Sequence, residues 1–308
     1  MMKKFTHKYG TVTLSMVFWA FSFIWFKVAN ETYRPLTIVF IRLLISVILL
    51  NIFISASRSR TRIKKKDRKL FILLAVFEPF LYFLGESFGL TYVSATTGSV
   101  IISTIPVFAA TGAWILFREK LKPVNYAGIV VSFAGILVFL LNRDGSLSFD
   151  IRGILLLTFA VFSAVGYNLT LSRLVGSYDP ISIVNIQNMI GALLFLPVFL
   201  VSDLQHFIST PFHAKSLIPV VKLAIFASCG AFILFAHAVR QMGVTKANVF
   251  TNCIPLFTAI FSFFILGDKM TLQNIAGMAI VIAGLFMSQF NGRSGKSREA
   301  MVLTGKTA

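Results

Sequence analysis

An apolar, helix-length stretch with a proline at its centre occurs twice in this chain. Val93 to Lys120 reads VSATTGSVIISTIPVFAATGAWILFREK, and 149 residues later Met242 to Lys269 reads MGVTKANVFTNCIPLFTAIFSFFILGDK. Pro106 falls on Pro255, Phe108 on Phe257, and Glu119-Lys120 on Asp268-Lys269. Carried on to Phe139, the alignment holds 12 identities in 47 positions, among them Asn125 on Asn274, Gly128 on Gly277 and Gly135 on Gly284. One shared proline would mean little. A shared order of polar stripe, proline, charged turn and small-residue helix argues for an internal duplication.

The solvent for these repeats follows from composition. Hydrophobic residues make up 56% of the chain and charged residues 13%, against roughly 45–50% and about 25% in soluble domains. Apolar runs of about 20 residues recur along the sequence, each long enough to cross the hydrocarbon core as a helix. Lipid offers the backbone no hydrogen bonds, so the spans should be helical. Ten are expected: Gly10–Ala29, Leu36–Ser55, Leu70–Leu90, Ala95–Phe117, Val124–Leu141, Ile151–Leu171, Ile181–Val201, Leu217–Val239, Thr245–Leu266 and Leu272–Phe290. Arg34-Pro35, Lys122-Pro123 and Asp179-Pro180 mark turns between them. The fold class is therefore an all-α membrane protein of ten transmembrane helices, arranged as two five-helix repeats. An odd number of spans per repeat turns the halves upside down relative to each other.

The net charge of +18 lies at the ends of the apolar runs, so it points to lipid headgroups and not to nucleic acid. With the N-terminus inside, inner segments carry 21 Lys and Arg and outer segments 6, with Lys27 and Arg42 inside spans. This asymmetry places both termini in the cytoplasm. Residues 1–9 are then a cytoplasmic tail, 10–141 and 150–290 the two repeats, and 291–308 a disordered cytoplasmic tail. The N-terminal run does not resemble a cleaved signal peptide. Cys229 and Cys253 show neither metal spacing nor a disulfide framework. No metal or cofactor is expected.

Ionisable groups inside a bilayer are costly and mark candidate sites. Of 11 acidic residues only Glu78 and Glu86 fall within a span. They flank Tyr82 at four-residue steps, so all three share a broad helical face. Glu78 suits a proton site or a partner for a cationic cargo group, and equally a structural carboxylate paired with Arg42. Glu86 lies nearer the outer end, and His237 is a further candidate for proton coupling. Lys27 can snorkel to the interface. Ser99, Ser103 and Pro106 form a stripe at i, i+4, i+7, repeated as Asn248, Asn252 and Pro255. Such stripes would line a shared cavity and end at kinks that serve as gates, or would simply pack helices together. Trp19, Phe23, Tyr82, Trp114, Phe162, Tyr167 and Phe257 are candidates for cavity walls. Gly128, Ser132 and Gly135, with Gly277 and Gly284, look like close-packing faces of scaffold helices.

The whole pattern resembles the drug/metabolite transporter superfamily, EamA type, over about residues 10–290. WAFSFIWFK (Trp19 to Lys27) is similar to that family's Trp-Gly-x-x-Phe opening, with Ala20 in place of Gly. Arg42 and the paired endings of proline, acidic residue and Lys add to the likeness. The resemblance implies inverted repeats and a central cavity walled by spans one, three, four, six, eight and nine. It also implies a small-molecule metabolite as cargo, amino acids included, often moved outward across the inner (plasma) membrane. Trp19, Glu78, Tyr82, Ser99, Ser103, Asn248 and Asn252 are the cavity candidates. Protons and membrane lipid are the other expected partners, and a monomer or weak homo-oligomer the expected state. An uncoupled uniporter, an exchanger and a lipid-carrier flippase remain alternatives. A membrane enzyme is disfavoured, because no HExxH, GxSxG or Walker loop is present.

Overall fold

A computed structural model describes residues 2–57, 63–108, 123–140 and 150–288, with the backbone alone for residues 2–8 and 245. Among them are ten principal helices and one short extra one. They are α1 (Met2–Asn30), α2 (Pro35–Ala56), α3 (Lys65–Tyr92), α4 (Ala95–Phe108) and α5 (Pro123–Leu140). The second half holds α6 (Ile151–Leu174), α7 (Pro180–Ser202), the short helix Leu204–Ser209, α8 (Ala214–Met242), α9 (Val244–Val249 running on to Ile254–Ile265) and α10 (Leu272–Ser288). Eight segments are long and apolar enough to cross a bilayer, and α4 and α10 are shorter apolar helices. Each of the ten expected spans coincides with one of these helices over the described residues, and the second part of the fourth, residues 109–117, lies outside them. The charged knot Arg118 to Lys120, Trp114 and the C-terminal tail lie outside the described residues.

Turn chemistry starts the helices where the sequence puts it. Pro35 and Pro180 open α2 and α7 with their fixed φ and missing N–H. Asp179 accepts the Ile181 N–H at 3.1 Å, Asp150 accepts that of Arg152 at 2.9 Å, and Ser94 accepts that of Thr97 at 3.1 Å. Each satisfies a donor that a helix N-terminus leaves free. Asp150 also grips the Arg152 guanidinium, which holds its carboxyl below the ordinary carboxylate range. Large apolar side chains remain on the outside, including Ile52, Val130, Leu155, Leu193 and Phe264. Such a surface would aggregate in water and suits lipid.

The two halves pack against each other reciprocally. α5 and α10 run antiparallel, with Gly128 against Gly284 and Ser288, and Gly135 against Gly277 and Val281. A Cβ on Gly128 would come within 2.2 Å of the Ser288 backbone nitrogen, and one on Gly277 within 2.5 Å of the Phe139 backbone nitrogen. Asn125 donates to the Ser288 carbonyl at 2.9 Å, and Asn274 donates to the Phe139 carbonyl at 2.9 Å. Asn125 and Asn274 are repeat mates, as are Phe139 and Ser288. The shift of 149 residues thus carries each bond onto the other, as a local twofold axis would.

The same exchange governs the front of the molecule. α1 packs on α8, α6 packs on α3, and α2 packs on α7. α3 and α8 each widen into π-helical turns, over Val76–Leu81 and Leu223–Ala231. A serine from the first helix of the opposite half meets each widening. Ser163 donates to the Phe77 carbonyl at 2.6 Å, and Ser15 donates to the Ala231 carbonyl at 2.8 Å. A small separate core, including Val100, Phe139, Ala259 and Val281, joins α5 and α10 to the backs of α4 and α9. Gly128→Val should therefore cost about 1–3 kcal/mol through overpacking and lower the thermal midpoint. Gly176→Ala, where an added Cβ meets nothing within 4 Å, should leave it within a degree or so.

Candidate functional site

One internal cavity gathers residues from α1, α2, α3, α4, α6, α8 and α9, and none from α5 or α10. Its volume of about 50 Å³ has room for roughly four water molecules. The repeats contribute matching walls. Ile102 and Ile105 come from α4, and their mates Thr251 and Ile254 come from α9.

Glu78 lies at the break in α3. Its backbone is extended (φ −147°, ψ 121°) between two helical segments, because Pro79 cannot continue the hydrogen-bond ladder. The break is closely supported. Ser163 donates to the Phe77 carbonyl, which also accepts the Tyr82 N–H across the π-turn. Gly166 leaves room for the Phe77 ring, and Gly191 leaves room for Pro79, where an added Cβ would come within 2.2 Å. Glu78 is 6% exposed and makes no hydrogen bond or ion pair among the described residues. Glu86, one helical face onward, accepts the Tyr82 hydroxyl at 2.9 Å.

Arg42 is the one cation among the described residues of the cavity wall, and it is held from two sides. Its Nε donates to Ser228 Oγ at 2.8 Å. Its guanidinium lies over the Phe83 ring, 4.1 Å from the centroid. Glu86 and Glu78 are the carboxylates that share the wall with it. Behind it, Asn188 donates to Ser46 Oγ at 2.7 Å and to the Ser228 carbonyl at 3.0 Å, and Ser46 meets Cys229 Sγ at 3.0 Å. This network ties α2, α7 and α8 around the arginine.

The cavity brings together Trp19, Glu78, Tyr82, Glu86 and Asn248 of the residues singled out from sequence. Ser99, Ser103 and Asn252 are placed elsewhere. Each is fully buried, and none lines the cavity. The two serines bond back to their own helix, Ser99 to the Thr96 carbonyl at 2.8 Å and Ser103 to the Val100 carbonyl at 2.7 Å. Neither end of the Asn252 amide has a partner among the described residues. Pro106 and Pro255 are buried just after breaks at matching positions, a turn at Ser103-Thr104 and a 3-10 turn over Phe250–Cys253. His237 lies outside the cavity, 2.6 Å from Gln241 Nε2. Lys27 donates to the Leu90 carbonyl at the C-terminus of α3, at 2.6 Å. Of the aromatic candidates, Trp19, Phe23, Tyr82 and Tyr167 face the cavity. Phe162 points outward and packs on Phe108, 4.9 Å between centroids. Phe83, Phe232 and Phe235 are walls that residue type alone could not separate from 33 phenylalanines. Asn168 also lines the cavity, and its oxygen and that of Asn248 have no hydrogen-bond partner.

The model of the EamA-like transporter family matches residues 9–141 and again 151–290. The chain belongs to the EamA-like transporter family. Curated relatives agree along nearly their whole length. A protein of Archaeoglobus fulgidus named an uncharacterized transporter is 27% identical, over 90% of this chain and 95% of its own. The uncharacterized transporter YcxC of Bacillus subtilis is 24% identical, over 91% and 92%. A solved crystal structure shares the fold with a TM-score of 0.67 at 14% identity, covering 92% of this chain and 96% of that one. The protein is thus a multi-pass membrane transporter. Its EamA halves are those that carry the duplication, and both supply walls to the cavity.

Asn188→Ala should destabilise the protein by about 1–3 kcal/mol, because Ser46 and the Ser228 carbonyl lose a buried donor. Asn51→Ala removes an exposed bond to the Val47 carbonyl at 2.8 Å and the longer, part-buried contacts to Asn185 at 3.3 and 3.4 Å, and should cost well under half of that. Thermal melting of the two variants side by side reads the difference.

Proposed function

We propose that the protein is a secondary active transporter that exports a small metabolite by alternating access. The observation that carries this reading is the cavity itself. It is small and lined by both halves, it holds the buried Arg42, Glu78 and Glu86, and its walls include the mates Ile102/Thr251 and Ile105/Ile254. A site placed between two related halves can be opened to either side by rocking one half on the other. The breaks before Pro106 and Pro255 supply matching points of flexure, and α5 with α10 supplies a static frame. Export is the direction that the resemblance implies. The excess of Lys and Arg on inner segments supports cytoplasmic termini in the plasma membrane.

Glu78 is the coupling residue in this reading. It is a buried carboxylate without a hydrogen-bonding partner, so a proton there exchanges at low structural cost. The groups facing it are Arg42 from α2, Tyr82 and Glu86 from α3, and Tyr167 from α6. In reconstituted vesicles, transport of a metabolite mixture should respond to a pH gradient. Glu78→Gln should abolish that response while leaving the protein folded. Transport by Glu78→Gln that kept the wild-type pH dependence would remove Glu78 from the mechanism.

A further inference from the structure

The cavity's charge balance has a remainder. Arg42 and Glu86 offset each other. The arginine is committed to Ser228 and Phe83, and Glu86 shares the wall with it and takes a bond from Tyr82. Glu78 is left over. It is nine-tenths buried, lines the cavity and is bonded by nothing among the described residues. A buried carboxylate with neither partner nor proton is several kcal/mol out of balance. A proton neutralises it when the cavity is empty, and a cationic group of the occupant can take that proton's place.

The surroundings narrow the kind of cation. Trp19, Phe23, Tyr82, Tyr167, Phe232 and Phe235 wall the same space. Phe232 is the hub that fixes the rings, with centroids 5.4 Å from Trp19, 6.0 Å from Tyr167 and 6.4 Å from Phe83. Aromatic faces favour an organic ammonium over a compact, strongly hydrated inorganic ion. Arg42 is the one cation among the described residues that line the cavity, and Glu86 lies on the same wall.

We infer that the cargo is a small organic amine, carried as its ammonium ion against Glu78 within the aromatic walls. This deepens the transporter reading and rests on it. The test uses full-length protein in lipid nanodiscs and four solutes built on one branched carbon skeleton. They are isoamylamine, leucine, isocaproate and isoamyl alcohol, with binding read by calorimetry near neutral pH. Isoamylamine should bind about tenfold or more tighter than leucine, and isocaproate should bind weakest. Glu78→Gln should weaken isoamylamine by about thirtyfold or more, as expected for loss of a buried charge partner. Glu86→Gln releases Arg42 and should narrow or reverse the preference for isoamylamine over leucine, which keeps the idea testable if Glu78→Gln does not fold. Equal or tighter binding of leucine or isocaproate by the wild type overturns the assignment. So does isoamylamine binding that ignores Glu78→Gln, and so does failure of all four solutes to bind. Counterflow in vesicles separates this claim from the one beneath it. Amine binding at Glu78 without flux would sink the transporter reading alone. Flux of a metabolite mixture without amine binding would sink the amine assignment alone.

Discussion

A backbone carbonyl set free inside a bilayer has to find a donor, because lipid supplies none. The helices that approach the cavity are broken, so this constraint shapes everything around them. α3 opens at Glu78, and its Phe77 carbonyl is met by Ser163; α8 widens over Leu223–Ala231, and its Ala231 carbonyl is met by Ser15. Both serines come from the opposite half. Each break is thus bonded from the other repeat as well as within its own helix, and both repeats line the cavity.

The charges follow the same logic at higher cost. Arg42 lies 3% exposed in a region where an unpaired guanidinium would be strongly disfavoured. Its support arrives from two helices, as a hydroxyl from α8 and an aromatic face from α3. Glu78 receives no such support. The contrast between a fully furnished arginine and an unfurnished carboxylate, on one wall, gives the site its polarity. It also explains why the extended backbone at Glu78 is held so firmly by Gly166, Gly191 and Ser163. The carboxylate is aimed by its backbone, since no hydrogen bond aims it.

Much of the fold was legible in the sequence because helix length, turn residues and the duplicated order are local signals. Gly128, Gly135, Gly277 and Gly284 were readable as close-packing positions, and each meets backbone of the opposite helix. Glu78, Tyr82 and Glu86 were readable because a carboxylate in an apolar run is rare. The stripe of Ser99 and Ser103 shows where local reasoning stops. Short hydroxyl side chains can satisfy themselves on the carbonyl three residues back, so a polar face need not be a wet one. The walls from α4 are Ile102 and Ile105, one step around the helix. Nothing in Ser228 or Asn188 advertised a role either, for they matter only because three distant segments converge on Arg42. Ser163 and Ser15 are the same kind of residue, ordinary in sequence and decisive in contact.

The clasp formed by Asn125 and Asn274 has a mechanical meaning. The bonds sit at opposite ends of the α5–α10 seam, Asn125 on the Ser288 carbonyl with a longer contact to that of Met287, and Asn274 on the Phe139 carbonyl. Sliding one helix by a single residue moves it about 1.5 Å along the axis, enough to break both bonds together while driving the glycine faces into backbone. The seam therefore resists shear at both ends at once, like a drawer pinned front and back. In the proposed rocking of the halves, the rear pair is the ruler against which tilting of the helices ahead of the seam would be set.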